Sequence, residues 1–279
     1  MPTISGNCGI ASGWINYATS SYQGNVQADG AGNYTTPNLT DLTTYAVWPS
    51  ASGQIFSPVQ SSVTFAGSNI SGVNFNATAA TLTTVFTDNF TRANENPLDP
   101  THWTAVTSGG AQPCQVVTNT CQGTAAGFGC VERSTPIAWS TTQQFIQSTC
   151  TAISSGALNN VYLGAVPSRT TGWGILQQAA NCQVYQGISL RRTFAHVFVS
   201  GDFIRMEYLG QRLDFWVNST LIMSTFSVLQ LEPPTIELDP QTTIASVQVT
   251  NVTVGTTGTG TGLPSGSSLG PGFDLRFSL

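Results

Sequence analysis

The chain of 279 residues contains no lysine; all eight of its basic residues are arginine. Charged residues make up 8%, against roughly 25% in an average globular chain. With a net charge of -5 and a pI near 4.7, the composition excludes a protein that works by gripping phosphates. No stretch reaches the run of about 18 apolar residues that a membrane helix requires. The only two histidines, His102 and His196, stand far apart without metal-ligand spacing, and no metal is expected. The opening Met1-Pro-Thr-Ile-Ser has no basic region followed by an apolar one, and no secretory signal is expected from it. A leader is then removed beforehand, or the protein leaves the cell by another route, as virion proteins do on lysis.

Thr, Ser, Asn, Gln and Gly take the place of charge, while 40% of residues are hydrophobic, enough for a packed core. Those hydrophobics alternate with polar residues, and Gly, Asn, Asp and Pro interrupt them at short intervals. Alternation of period two with frequent turn residues predicts an all-β chain of sandwich or barrel type. Three parts are expected: 1–79, 81–254, and a Gly/Thr/Ser-rich linker with a terminal strand at 255–279. The last part ends Gly270-Pro-Gly-Phe-Asp-Leu-Arg-Phe-Ser-Leu279. Such an alternating strand is expected to add to a sheet edge, in a neighbouring subunit or in its own chain.

In the first part, Asp29-Gly-Ala-Gly-Asn-Tyr34 reads as a tight turn into a strand. Thr44-Tyr-Ala-Val-Trp-Pro49 reads as a strand that ends at its proline. With Gln54-Ile-Phe-Ser-Pro58, Ser62-Val-Thr-Phe65 and Ile70-Ser-Gly-Val-Asn-Phe75, the order resembles carboxypeptidase-regulatory-like, prealbumin-type domains. That resemblance implies a small prealbumin/Ig-like β-sandwich that spaces or presents other modules. In the second part, Val85-Phe-Thr-Asp-Asn-Phe90 leads through Asn96-Pro-Leu-Asp-Pro100 to Trp103. A late segment, Gly201–Asn218, carries Phe-Ile-Arg-Met-Glu-Tyr-Leu-Gly-Gln-Arg-Leu-Asp-Phe-Trp-Val. Both resemble concanavalin A-like lectin and glucanase jelly rolls. This implies a jelly-roll β-sandwich and narrows function to glycan recognition, glycan cleavage or structural display.

Cleavage of a glycosidic bond needs two carboxylates flanking it. Jelly-roll glucanases place theirs as Glu-x-Asp-x-Glu or Glu-x-Asp-x-x-Glu. Here Ile236-Glu-Leu-Asp-Pro-Gln-Thr242 supplies Glu237 and Asp239, but Gln241 or Thr242 replaces the third carboxylate and Pro240 ends the strand. The expectation is a solvated turn and no enzyme. In the late hairpin, Ile204, Met206 and Tyr208 share a face with Leu213, Phe215 and Val217. Arg205, Glu207, Asp214 and Trp216 take the other, as exposed cross-strand ion pairs beside a ring able to stack on a sugar.

Trp173, in Thr170-Thr-Gly-Trp-Gly-Ile175, reads as a ring held at a loop tip by flanking glycines. Tyr162, Tyr185 and Arg169 are its neighbours in sequence, with Asn159, Asn160 and Gln183 as polar companions. These residues and Trp216 are the carbohydrate-binding candidates; ordinary core packing is the alternative for both tryptophans. His196, alternating with Phe194 and Phe198, is expected to face a core or strand neighbour. No cofactor is expected. Jelly-roll lectins often hold calcium, but only Asp88 and Asn89 resemble a ligand pair here.

Six cysteines in so uncharged a chain suggest an oxidising destination, with buried thiols as the alternative. Cys114 with Cys121, and Cys150 with Cys182, are the expected disulfides, leaving Cys8 and Cys130. Sequons at Asn33, Asn38, Asn69, Asn76, Asn89, Asn218 and Asn251 are unsurprising in a chain this rich in Asn, Ser and Thr. The sequence reading is a non-catalytic, extracellular or virion-surface protein that binds a glycan or cell-surface polysaccharide. A structural subunit of a capsid, tail or filament is the second reading, and a divergent glycoside hydrolase the third. Neither nucleic acid nor a membrane span is expected.

Overall fold

The computed structural model describes residues 1–101, 103–105, 113–124, 129–133, 143–152, 159–163, 173–209, 212–226, 235–238 and 243–253; for 85, 129–133, 143–144, 152, 159–163, 235–238 and 243–253 it describes backbone and strand pairing alone. The described residues hold strands and turns and no helix, as the period-two alternation predicts. They form two compact units, Met1–Thr81 and Leu82–Val252.

The first unit holds β1 (Ser5–Asn7), β2 (Trp14–Ala18), β3 (Gln23–Gln27), β4 (Asn33–Thr35), β5 (Thr44–Ser50), β6 (Gln54–Ser57), β7 (Ser61–Thr64) and β8 (Asn76–Ala79). A four-stranded antiparallel sheet runs β3-β2-β5-β7. Against it β1 pairs with β4, and β6 pairs with β8. Ile15, Val47 and Val63 from the sheet share a buried core with Ile4, Tyr34, Phe56 and Phe75. The turn into β4 forms as expected. Asp29 Oδ1 accepts the N–H groups of Ala31 and Asn33 at 2.9 and 2.8 Å, and Gly32 takes φ +83, a conformation glycine adopts without strain.

β5 does not stop at Pro49. The bond from Phe65 N–H to the Thr43 carbonyl fixes the phase of its pairing with β7. Odd-numbered β5 residues turn their peptide groups toward β7. Since β7 ends opposite Val47, Pro49 lies past its end, and the missing N–H points where no described strand sits. A proline is tolerated there, and the strand continues to Ser50.

The second unit holds β9 (Thr81–Asp88), β10 (Trp103–Ala105), β11 (Gln115–Val117), β12 (Thr120–Gln122), β13 (Gly129–Arg133), β14 (Gln143–Ala152), β15 (Asn159–Leu163), β16 (Trp173–Gln177), β17 (Asn181–Gln186), β18 (Ser189–Ala195), β19 (Phe203–Leu209), β20 (Arg212–Val217), β21 (Thr220–Phe226), β22 (Thr235–Leu238) and β23 (Thr243–Thr253). One sheet runs β10-β13-β22-β15-β16-β17-β18 and the other β11-β12-β23-β14-β19-β20-β21, with β9 on β23. Ile175 and Val184 of the first sheet and Ile146, Met206 and Phe215 of the second lie in one buried cluster. The two sheets therefore face each other across a shared core, as a β-sandwich does.

The motif that opens this unit is held by one carboxylate. Asp88 accepts the indole N–H of Trp103 at 2.8 Å and the backbone N–H of Phe90 at 2.8 Å, and pairs with Arg92 at 2.7 Å. Arg92 also bonds Glu95, and Trp103 packs edge-on against Phe86 and nearly parallel to Phe90. Burial alone would raise the Asp88 pKa, but bonds from Arg92, Trp103 and Phe90 outweigh it and lower it. Both Asp88 oxygens are thus taken by protein donors.

The disulfide expectation is corrected. Cys8, Cys114, Cys121, Cys150 and Cys182 are free and buried, small apolar side chains in the cores, although the Cys114 and Cys121 thiols do face each other as their expected pairing requires. Cys150 lies on β14 and Cys182 on β17, so they belong to different sheets rather than neighbouring strands. Burial pushes the Cys150 thiol up to about 11. Cys130 lies on β13, where only the backbone is described.

Candidate glycan-binding site

Trp173 is not at a loop tip. It opens β16, is 5% exposed, and sits in the core with its ring 5.6 Å from that of Phe215. Alternation turns the next residue, Gly174, to the opposite side of the sheet. There the register gathers two of the expected residues: Tyr162 of β15 pairs with Gly174 from one side, and Tyr185 of β17 pairs with it from the other. In the next row Leu176 lies between Asn160 and Gln183. Residues far apart in sequence thus meet across β15, β16 and β17.

At the β17 position the side chains are defined. Tyr185 is half-buried, and its hydroxyl donates to Gln183 Oε1 at 2.7 Å. That bond fixes the phenol and leaves the Gln183 amide nitrogen as a donor. A half-open ring beside an oriented amide can stack on the C–H face of a pyranose and hydrogen-bond its hydroxyls. Gly174 gives the row a position without a side chain between two tyrosines. Among the expected residues, Arg169 lies outside the described residues, as do His102 and Asp239. Glu237 belongs to strand β22 rather than to a turn, and registers with Asn160.

Trp216 is on the other sheet, in β20, 3% exposed and with no hydrogen-bond partner for its indole N–H among the described residues. It is packed rather than presented. Its neighbours correct a second expectation. The hairpin faces alternate as predicted, with Ile204, Met206 and Tyr208 opposite Val217, Phe215 and Leu213. The charged side, however, is buried, and its ion pairs run along each strand. Arg205 pairs with Glu207 at 3.0 Å, and Arg212 with Asp214 at 2.8 Å.

Glu207 and Asp214 stand directly opposite each other. Burial raises the Asp214 pKa and Glu207 adds to the rise, against the pull of Arg212 and of the Ser224 hydroxyl, which donates at 2.6 Å. Arg205 also bonds Gln147 at 2.6 Å and lies 4.8 and 5.0 Å from the ring centres of Phe145 and Phe203. Nothing in local sequence marks this network as buried; the strict alternation only shows which residues share its face. His196 is set as expected, between the Phe194 and Phe198 rings, with Nε2 3.0 Å from Asp202.

No family model matches this chain, and no curated protein matches it. Solved structures align with it at low identity. The carbohydrate-binding module CBM66 from Bacillus subtilis is 15% identical over 55% of this chain and 94% of its own, at a TM-score of 0.39. A non-specific endo-β-1,3(4)-glucanase of family GH16 is 8% identical over 61% and 91%, at 0.46. The laminarinase from Rhodothermus marinus is 10% identical over 63% and 99%, at 0.46. Because glucanases stand among these structures, the expectation that the chain is not an enzyme is withdrawn; identities this low do not show catalysis either.

Proposed function

We propose that the second unit binds carbohydrate on the side of the seven-stranded sheet that carries Gly174 and Tyr185. The observation that supports this is the register, which aligns Tyr162, Gly174 and Tyr185 in one row with Gln183 bonded to the Tyr185 hydroxyl. Neutral rings and amides suit a neutral sugar, whose hydroxyls need donors and acceptors and whose ring needs a π face. In the same reading the first unit is a prealbumin-type spacer, and the protein works outside the cell or on a virion surface. The lysine-free, weakly charged composition supports that setting.

Titration of the whole protein with laminarin, xylan and galactan tests the proposal. At least one should bind saturably, and Tyr185→Ala should weaken that binding at least tenfold at an unchanged melting temperature. Failure of all three glycans to bind would remove the proposal. Glycan cleavage is the second reading, favoured by Glu237 lying inside β22 in register with Asn160, one row from Tyr162. Release of reducing ends that disappears in Glu237→Gln would establish it.

A further inference from the structure

The first unit has a groove of about 400 Å³, lined on one side by β7 and on the other by Ile70, Gly72, Val73 and Asn74. Its origin lies in the path of the chain. Residues 70–75 run beside β1: Ile70 N–H bonds the Thr3 carbonyl, Val73 N–H that of Ser5, and Phe75 N–H that of Asn7. The chain then continues as β8, which pairs with β6, Ser57 opposite Asn76. At Pro58 the chain leaves that sheet and crosses to the other as β7. Beyond Asn76, the lane that an extended β6 would fill is therefore empty of described strand.

One wall of this lane is the edge strand β7; the other is the stretch 70–75, hydrogen-bonded to β1 on its far side. The phase that turns Val63 and Ser61 toward β5 turns the peptide groups of Ser62 and Thr64 outward. On the opposite wall, Phe75 N–H is directed to β1, so the Asn74 peptide faces the lane. Among the described residues no backbone partner meets these groups, and exposed edges of this kind take up an extra strand. The lining carries no charged side chain; Val63, Ile70 and Val73 supply apolar surface among Ser, Thr and Asn.

The chain contains one segment built for such a lane. Beyond β23, which ends at Thr253, a Gly/Thr/Ser-rich stretch leads to Phe273-Asp-Leu-Arg-Phe-Ser-Leu279. In an extended strand Phe273, Leu275, Phe277 and Leu279 share one face, while Asp274, Arg276 and Ser278 share the other. An uncharged groove with apolar patches accepts the first face and leaves Asp274 and Arg276 in water. The seven residues span about 23 Å at ~3.3 Å each, enough to cover all of β7. We propose that the groove between β7 and residues 70–74 is the acceptor for the strand Gly270–Leu279 of this protein.

The test uses the chain ended after Leu269 and a labelled peptide of sequence Gly270–Leu279. The shortened chain should bind the peptide saturably. The full chain, its groove already taken by its own or a neighbour's terminus, should bind at least tenfold more weakly. Ser62→Pro in the shortened chain removes an outward N–H without touching the ladder to β5, and should abolish binding at an unchanged melting temperature. Should that variant fold poorly, a peptide N-methylated from Phe273 to Leu279 gives the same test from the ligand side, and it should not bind. Absence of binding to the shortened chain, equal binding by the full chain, or binding that survives N-methylation would overturn the proposal. None of these readouts depends on glycan binding.

Discussion

The two sheets of the second unit treat their core-opposed sides in opposite ways. On the eight-stranded sheet, buried Glu207, Arg212, Asp214 and Ser224 join half-buried Arg205 and Gln147 in ion pairs and hydrogen bonds. On the seven-stranded sheet, β16 and β17 carry Gly174, Leu176, Gln183 and Tyr185 in the corresponding role, all uncharged; Gly174 and Leu176 are buried, Gln183 and Tyr185 are half-buried, and β18 beside them is more exposed. The difference follows from solvation. A buried carboxylate costs several kcal/mol unless cations and hydroxyls surround it, so the charged side is stable only when its partners are all in place. Neutral rings and amides carry no such requirement and can exchange water for a ligand at small cost. The charged side of β19 and β20 therefore reads as structure, and the uncharged stretch of β16 and β17 as the place for a ligand.

The largest effects should come from the closed side and the core behind the open one. Asp214→Ala removes the acceptor of Arg212 and of Ser224 and leaves a guanidinium buried. It should cost about 3–5 kcal/mol in chemical denaturation, with no specific loss of glycan affinity in protein that remains folded. Trp173→Ala empties the core beside Phe215 and should cost about 3–5 kcal/mol as well. If Trp173→Ala instead abolished glycan binding at unchanged stability, Trp173 would be a stacking platform and the contrast between the two sides would fail.

A smaller effect is expected at Asp88. Its pKa is lowered in the folded state. The stability it contributes is therefore present above the unfolded carboxylate value near ~3.9, and is lost as pH falls through the folded value. Asp88→Asn should cost about 1–3 kcal/mol at pH 7. The gap between variant and wild type should close on acidification below about pH 4. A gap that is constant with pH would show that Asp88 acts by shape alone.

Much of this architecture is legible in the sequence. Period-two alternation gives the all-β class, and in Ile204–Tyr208 and Leu213–Val217 it assigns each residue to the correct face. Exposure is not legible in the same way. Trp173 between two glycines looks like a loop ring, yet its burial is decided by Phe215, more than forty residues later. The charges of the β19–β20 hairpin look solvated because burial of that side is set by packing that local sequence does not encode. Cys150 and Cys182 look like a bridging pair, but sequence spacing does not say that their strands enter different sheets. Tyr162 and Tyr185 lie near Trp173 in sequence; that both register on Gly174 depends on strand pairing, which is non-local.

The smallest effect is the one that bears most directly on the open side. The Tyr185 hydroxyl donates a single neutral bond to Gln183 in a half-buried setting. Tyr185→Phe should therefore cost about 0.5–1.5 kcal/mol of stability, toward the lower end because water reaches the site. The ring is retained, so stacking is retained; what is lost is the bond that orients the ring and the amide. Glycan affinity should fall by a few-fold in Tyr185→Phe, compared with at least tenfold in Tyr185→Ala. Titration of both variants with one glycan separates the two contributions. Unchanged affinity in Phe with loss in Ala would assign recognition to the ring alone. Unchanged affinity in both would mean that the sugar is not bound at Tyr185, and the β16–β17 stretch would lose its claim to hold the ligand.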